Sequence, residues 1–227
     1  RLAHRMAIVR SITHGNSNHT GGAQDVMRGG KGNQIGMGSI VTRLRGTNHP
    51  RTGMPTQVYL SHQEPDPQFN KERLRLLEAA TAGELGAAFA PFAPLGDGPV
   101  VQYLTLNIPS GRLSSRRALR RSLDRLVRQV DTTGGMEGMD RFEQQAFNLL
   151  LGRGRKAFDL SDEDPGVVRR YDTGRFNTAL RAKTRHSTLG RQLLLARRLC
   201  EAGCGFITVH TPGRDMHGGN TQFNMPF

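Results

Sequence analysis

Lysine is scarce in this chain of 227 residues: four lysines stand beside 28 arginines, and the formal net charge is +13. A large positive charge invites a nucleic-acid partner. The arginines are spread over several expected helices, however, and form no dense block or tail. No recognition motif accompanies them, so nucleic acid is not the expected partner. A composition rich in Arg and poor in Lys also follows from biased base composition in the source genome. Cysteine is nearly absent too. Cys200 and Cys204 flank Gly203 at the end of an expected helix. They read as two small buried residues, since no second cysteine pair is available to complete a zinc site. No run approaches the ~18 apolar residues of a membrane span, which removes that class of structure. No internal repeat and no signal-peptide pattern is visible in these 227 residues. The "GGKG" at 29–32 fails as a phosphate loop: Asp25 stands where the first glycine belongs and Gly32 where Ser or Thr is required. A G-x-S-x-G nucleophile elbow is not found either.

What is present alternates between strand and helix signals. Met6–Ile12 reads as a strand and is followed by a polar loop, Thr13–Gly22. A short helix is expected over Ala23–Arg28, stopped by Gly29 and Gly30. A second helix is expected over Ile35–Leu44, with Ile35, Ile40 and Leu44 apolar, and a second strand over Pro55–Leu60. Residues 61–112 read as an irregular surface excursion, in which Val100–Leu106 is extended. Ser114 is placed to cap a helix with Leu119, Leu123, Leu126, Val127 and Val130 inward. Met139, Phe142, Ala146, Leu149 and Leu150 form another stripe. Pro165 suits the first turn of a helix. Thr188 opens a last helix with Leu189, Leu193, Ala196 and Cys200 inward and Gly203 as its stop, and Phe206–Val209 is the strongest strand. The pattern is α/β, and the chain reads as one partial domain over 1–227. It begins at Arg1 and breaks off at "FNMPF", so it is expected to be a fragment.

Two polar loops follow strands, where open α/β sheets place their chemistry. In "GFITVHTPGRDMHGGN", Asp215 and His217 stand two residues apart, so extended backbone points them the same way. A carboxylate with an imidazole suits Zn²⁺ or another transition metal. A solvated polar loop is the plainer reading, and His210 either joins the pair or packs at its strand end. In "SITHGNSNHTGG", His14, His19 and Thr20 precede the short helix. Thr20 either caps that helix or faces an anion held at its N-terminus. His4, His49, His62 and His186 are isolated and read as surface or satisfied side chains.

Six segments together resemble the bacterial domain of unknown function 1501 family, abundant in planctomycetes and often described as sulfatase-like. They are "MAIVRSITHGNSNHTGG", "GSIVTRLRG", "MPTQVYL", "MDRFEQQAFNLL", "RKAFDLSDEDPGVVRRY" and "LGRQLLLARRLCEAGCGFITVHTPGRDMHGGN". They run in the family's order over nearly the whole chain. The resemblance implies an alkaline-phosphatase-like sheet flanked by helices, incomplete in this chain. It also implies a divalent metal, Zn²⁺ first, with Ca²⁺, Mg²⁺ or Mn²⁺ as alternatives. Asp215 and His217 match the family's D-x-H motif and are the implied metal ligands. Thr20 and His19 lie where sulfatases carry their nucleophile, and His14 would position substrate or shuttle a proton. Two positions depart from the pattern: Arg214 stands in place of a Trp before the D-x-H acid, and Met27-Arg28-Gly29 replaces a Leu-Thr-Gly. An upstream acid-bearing strand and a downstream Asp-His pair are expected outside the chain.

The expected function is thus metal-dependent hydrolysis of a sulfate or phosphate ester, of a small molecule or a polysaccharide. Family members often carry twin-arginine export signals, which implies a periplasmic or exported protein. A non-catalytic exported binding protein on the same fold is the alternative.

Overall fold

The structure is a computed structural model that describes residues 11, 15–30, 33–61, 70–94, 104, 109, 111–116, 118, 135–173 and 189–210. In chain order the named elements are α1 (His19–Arg28), α2 (Met37–Arg45), β1 (Gln57–Ser61), α3 (Asn70–Ala79), α4 (Gly135–Leu151), α5 (Pro165–Arg170), α6 (Leu189–Glu201) and β2 (Phe206–His210). Tight 3-10 turns cover Gly83–Leu85, Ala87–Phe89 and Arg153–Phe158. The expected strand Met6–Ile12 and the apolar stripe from Leu119 to Val130 lie outside the described residues.

β1 and β2 pair in parallel, in the register Gln57↔Phe206 through Ser61↔His210. Residues 62–205 separate them in sequence, as a parallel pair requires of its crossover. β1 also has a neighbour on its other edge. The Tyr59 N–H donates to the Phe92 carbonyl at 3.0 Å, and the Phe92 N–H to the Gln57 carbonyl at 3.1 Å. β1 is therefore interior, and all five of its residues are buried. Mixed helices around a small parallel sheet fit the expected α/β class.

One face of the pair builds the core. Val58 and Leu60 pack with Met54, Leu104, Leu149, Ala157, Phe158, Leu199 and Cys204, with Ile207 and Val209 against them. Phe92 meets Phe158 edge-on, at 5.7 Å between ring centroids. Burial of such side chains contributes about 1.5–3 kcal/mol each relative to exposure. α4, α6 and the Arg153–Phe158 turn supply this side.

The other face is covered by α2 in an unexpected orientation. Gly38, Ser39 and Thr42 are the buried residues, while Ile40 is exposed and Leu44 is 80% exposed. Glycine decides the rotation. A Cβ on Gly38 would lie 2.3 Å from Gln57 Nε2 and 2.8 Å from Phe206 Cδ1, so only this small face can lie flat on the strands. The Ser39 and Thr42 hydroxyls then reach Gln57 Oε1 at 3.4 and 3.5 Å.

α6 is rotated for a similar reason. Leu193, expected inward, is 44% exposed, and Cys200 is exposed; Gly190, Leu194 and Leu199 are buried instead. A Cβ on Gly190 would fall 1.6 Å from the Tyr171 carbonyl oxygen. The helix docks by its glycine, and the buried stripe follows from that contact. Gly203 stops it as expected, with φ +99°. Cys204 is buried as expected, so the pair of cysteines divides between surface and core.

The stretch expected as an irregular excursion includes α3. Leu76, Ala79, Ala80, Ala82, Ala88 and Phe89 are buried there, so this segment contributes packing. Its helix signal was weak because half of "NKERLRLLEA" is charged. Residues 111–116 are already helical, so Ser114 lies inside a turn and does not begin one. In α4, Leu149 is buried as expected, but Gln145 is buried beside it and Ala146 is exposed.

Candidate functional site

The two strands end level with each other, at Ser61 and His210. Side chains alternate along a strand, so Gln57, Tyr59 and Ser61 share one face with their partners Phe206, Thr208 and His210. The Tyr59 ring and the His210 imidazole lie 6.3 Å apart between centroids, tilted by 34°. Ser61 is 7% exposed, and its Oγ has no hydrogen-bond partner among the described residues. A buried hydroxyl in that state costs about 1–3 kcal/mol. The carboxyl end of the pair is thus a polar ledge of Tyr59, Ser61 and His210 above an apolar core.

α1 is built differently from its expected form. It starts at His19, four residues before Ala23, and its cap is Asn18, whose Oδ1 accepts from the Gly21 N–H at 2.8 Å. Asn16 supports the cap from outside. Its Oδ1 accepts from the Asn18 N–H at 3.0 Å, and its Nδ2 donates to Asp25 Oδ2 at 2.9 Å. A Cβ on Gly21 would come within 2.7 Å of Asn16 Nδ2, so glycine admits this brace. With Asn18 capping, the Thr20 hydroxyl has no capping task. Thr20 is the second residue of the helix and is half-buried. Gly29, in the left-handed region at φ 75°, ends the helix as expected. α1 packs against α3, where Gln24 Nε2 donates to the Arg75 carbonyl at 3.2 Å.

Of the five residues expected at the site, His19 and Thr20 stand together in the first turn of α1. The His19 side chain, His14, Asp215 and His217 lie outside the described residues. Among the described residues, no group of three or more His, Cys, Asp and Glu is placed to hold a metal ion. His49, expected to be either a surface or a satisfied side chain, is satisfied: its Nδ1 takes the Thr52 N–H at 3.3 Å, and its ring packs on Gly203. Ser61 was missed because the expected strand stopped at Leu60, and Tyr59 because the expected strand was given no face. The signal was available, since Gln57, Tyr59 and Ser61 alternate with Val58 and Leu60.

Behind the ledge, charge holds α6 to the acidic turn that precedes α5. Glu163 accepts from Arg198 NH1 at 2.6 Å and from Arg197 NH2 at 2.9 Å. Arg198 also donates to the carbonyls of Ala157 at 3.3 Å and Lys156 at 3.1 Å. The Arg197 guanidinium lies 5.9 Å from the centre of the Tyr171 ring. The hydrogen bonds from Arg198 and then Arg197 hold the Glu163 carboxyl below its ordinary range. Asp164 caps α5, accepting from the Val167 N–H at 3.0 Å, with Pro165 in the first turn as expected. Asp159 is also held low, first by the Ser161 hydroxyl and then by the Ser161 N–H. Burial pushes the Cys204 thiol up to about 11. These groups clamp the frame.

No helix among the described residues is long and apolar enough to cross a membrane. No curated protein and no solved structure matches this chain. A family model described as "Protein of unknown function (DUF1501)" matches residues 1–224. That match spans nearly the entire sequence, and the chain therefore belongs to the DUF1501 family.

Proposed function

We propose that this chain carries part of the site of a metal-dependent hydrolase of sulfate or phosphate esters, on an alkaline-phosphatase-like sheet. The observation that carries the reading is the parallel β1–β2 pair with its polar carboxyl end. β2 finishes at His210, and the loop with Asp215 and His217 follows directly in sequence. Ligands of open α/β sheets bind beyond the carboxyl ends of strands. The donor chemistry suits a divalent metal: His210 is an imidazole at the described edge of the site, and Asp215 and His217 add a carboxylate and a second imidazole. Asp215 and His217 would hold the ion, Zn²⁺ first, with Ca²⁺, Mg²⁺ or Mn²⁺ as alternatives. When bound, such an ion supplies Lewis acidity and lowers the pKa of a coordinated hydroxyl.

The chain's own groups have separable tasks in this reading. Thr20, free of the capping role that Asn18 performs, offers a hydroxyl in the first turn of α1 as the attacking group. The N–H groups of that turn favour an anionic ester nearby. His19 is the neighbouring candidate for attack, and His14 positions the ester or moves a proton. The substrate is a small-molecule or polysaccharide ester, and the protein works in the periplasm or outside the cell.

A screen of aryl sulfates and aryl phosphates with added divalent metals tests the proposal. Turnover that disappears on joint Asp215→Ala and His217→Ala substitution supports it. No turnover with any metal overturns it and favours the second reading, a non-catalytic binding protein on the same fold. Arg214 and Arg28, both off the family's pattern, favour that second reading.

A further inference from the structure

A parallel sheet buried on both sides is ordinarily apolar throughout. β1 is buried along its whole length, yet one of its faces is Gln57, Tyr59 and Ser61. At the amino end the polarity is answered, because Gln57 meets the hydroxyls of Ser39 and Thr42. At the carboxyl end one group, the Ser61 hydroxyl, is not answered among the described residues. Ser61 Oγ is buried and has no hydrogen-bond partner among the described residues. Folding gains nothing from an oxygen in that position. Alanine would fill the same place without the cost of stripping water from a hydroxyl. A departure from sheet chemistry that the fold does not compensate is expected where a ligand compensates it.

We infer that Ser61 and His210 form a subsite for a non-bridging oxygen of a sulfuryl or phosphoryl group. The inference rests on the ester-hydrolase reading above, adds Ser61 to it and gives His210 a task at the anion. A serine hydroxyl donates one hydrogen bond, and an anionic oxygen in a dry site accepts it strongly. His210, the register partner of Ser61, supplies a ring nitrogen from the adjacent strand. Adjacent strands run about 4.8 Å apart, so one tetrahedral anion is large enough to touch both side chains. The Tyr59 ring lies beside the His210 imidazole, 6.3 Å between centroids. The Asp215–His217 loop continues from His210 itself, which links this subsite to the proposed metal ligands through a few residues of chain.

The test pairs binding with stability in the natural protein. Inorganic phosphate and sulfate are titrated by calorimetry into wild type, Ser61→Ala and His210→Gln, and thermal unfolding is recorded without either anion. Ser61→Ala is expected to leave the unfolding temperature unchanged or raise it, and to weaken anion binding by about tenfold. His210→Gln is expected to weaken binding as well. If Ser61→Ala unfolds earlier and binds both anions like wild type, the hydroxyl serves the fold and the subsite is overturned, while the hydrolase reading stands. If wild type binds neither anion and turns over no ester, the hydrolase reading falls and the subsite falls with it.

Discussion

Ser61 and His210 are register partners at the carboxyl ends of two parallel strands, the first buried throughout and the second followed in sequence by Asp215 and His217. This pairing joins two parts of the sequence that look unrelated. One is a short strand after "RTGMP", and the other is the strand before "TPGRDMH". At the amino end of their face Gln57 is answered by Ser39 and Thr42, whereas at the carboxyl end the Ser61 hydroxyl has no partner among the described residues.

Helix α1 should separate cap from chemistry. Asn18→Ala removes the hydrogen bond to the Gly21 N–H and is expected to destabilise the protein by about 1 kcal/mol in urea unfolding. Thr20→Ala should change stability by less than about 0.5 kcal/mol, because it makes no cap, and should instead abolish any ester turnover. A Thr20→Ala protein as unstable as Asn18→Ala would return Thr20 to a structural role.

Two glycines with positive φ should respond unequally to alanine. Gly53 has φ +72°, and its added Cβ would lie 1.9 Å from the Asn148 carbonyl oxygen. Both strain and overlap apply, and a loss of about 3 kcal/mol or more is expected. Gly29 has φ +75°, but its nearest neighbour is Met37 Cγ at an ordinary 3.6 Å. Only the left-handed backbone is penalised there, by about 1 kcal/mol. Equal losses in denaturant titrations would contradict the packing described around Gly53.

The Glu163 clasp makes stability depend on pH in a defined direction. Its carboxyl is held low in the folded protein by Arg198 and Arg197. The contribution is therefore complete above the ordinary glutamate range and is lost as pH falls through that range toward the lowered value. Glu163→Gln should be less stable than wild type at neutral pH, and the gap should close in acid. A gap that stays constant from neutral to acid pH would show that the charge of Glu163 does not hold α6.

The two cysteines should differ sharply toward an alkylating reagent. Cys200 is exposed, whereas Cys204 is buried and its thiol is pushed up to about 11. At pH 8 the folded protein is expected to take one label, at Cys200, and two after denaturation. Fast labelling of Cys204 in the folded state would contradict the core beneath β2.

Much of the fold was legible in local punctuation. Gly29, Pro165 and Gly203 mark helix boundaries that the structure keeps, and the β-branched run at 206–209 is a strand. Which face of a helix is buried was not legible for α2 and α6. There Gly38 and Gly190 permit a close approach that overrides the larger apolar residues. A count of leucines carries no information about such contacts. The start of α1 was misjudged because Gly21 and Gly22 read as loop, whereas Asn16 and Asn18 brace them into the first helical turn. For the site, the sequence pointed to loops after strands; Thr20 is described in the first turn of α1, whereas the His19 side chain, His14, Asp215 and His217 lie outside the described residues. Ser61 escaped notice because a serine one residue past a strand looks like solvent-facing punctuation until the strand is seen to be buried.

The central claim is that Asp215 and His217 hold a divalent metal beside the carboxyl end of β1 and β2. The most direct measurement is elemental analysis of the purified natural protein and of its Asp215→Ala, His217→Ala double variant, after both are loaded with Zn²⁺ and dialysed. The account predicts bound metal in wild type and none in the double variant, with unfolding temperatures that agree in the presence of chelator. Equal metal content in the two proteins, or no metal in either, would contradict it.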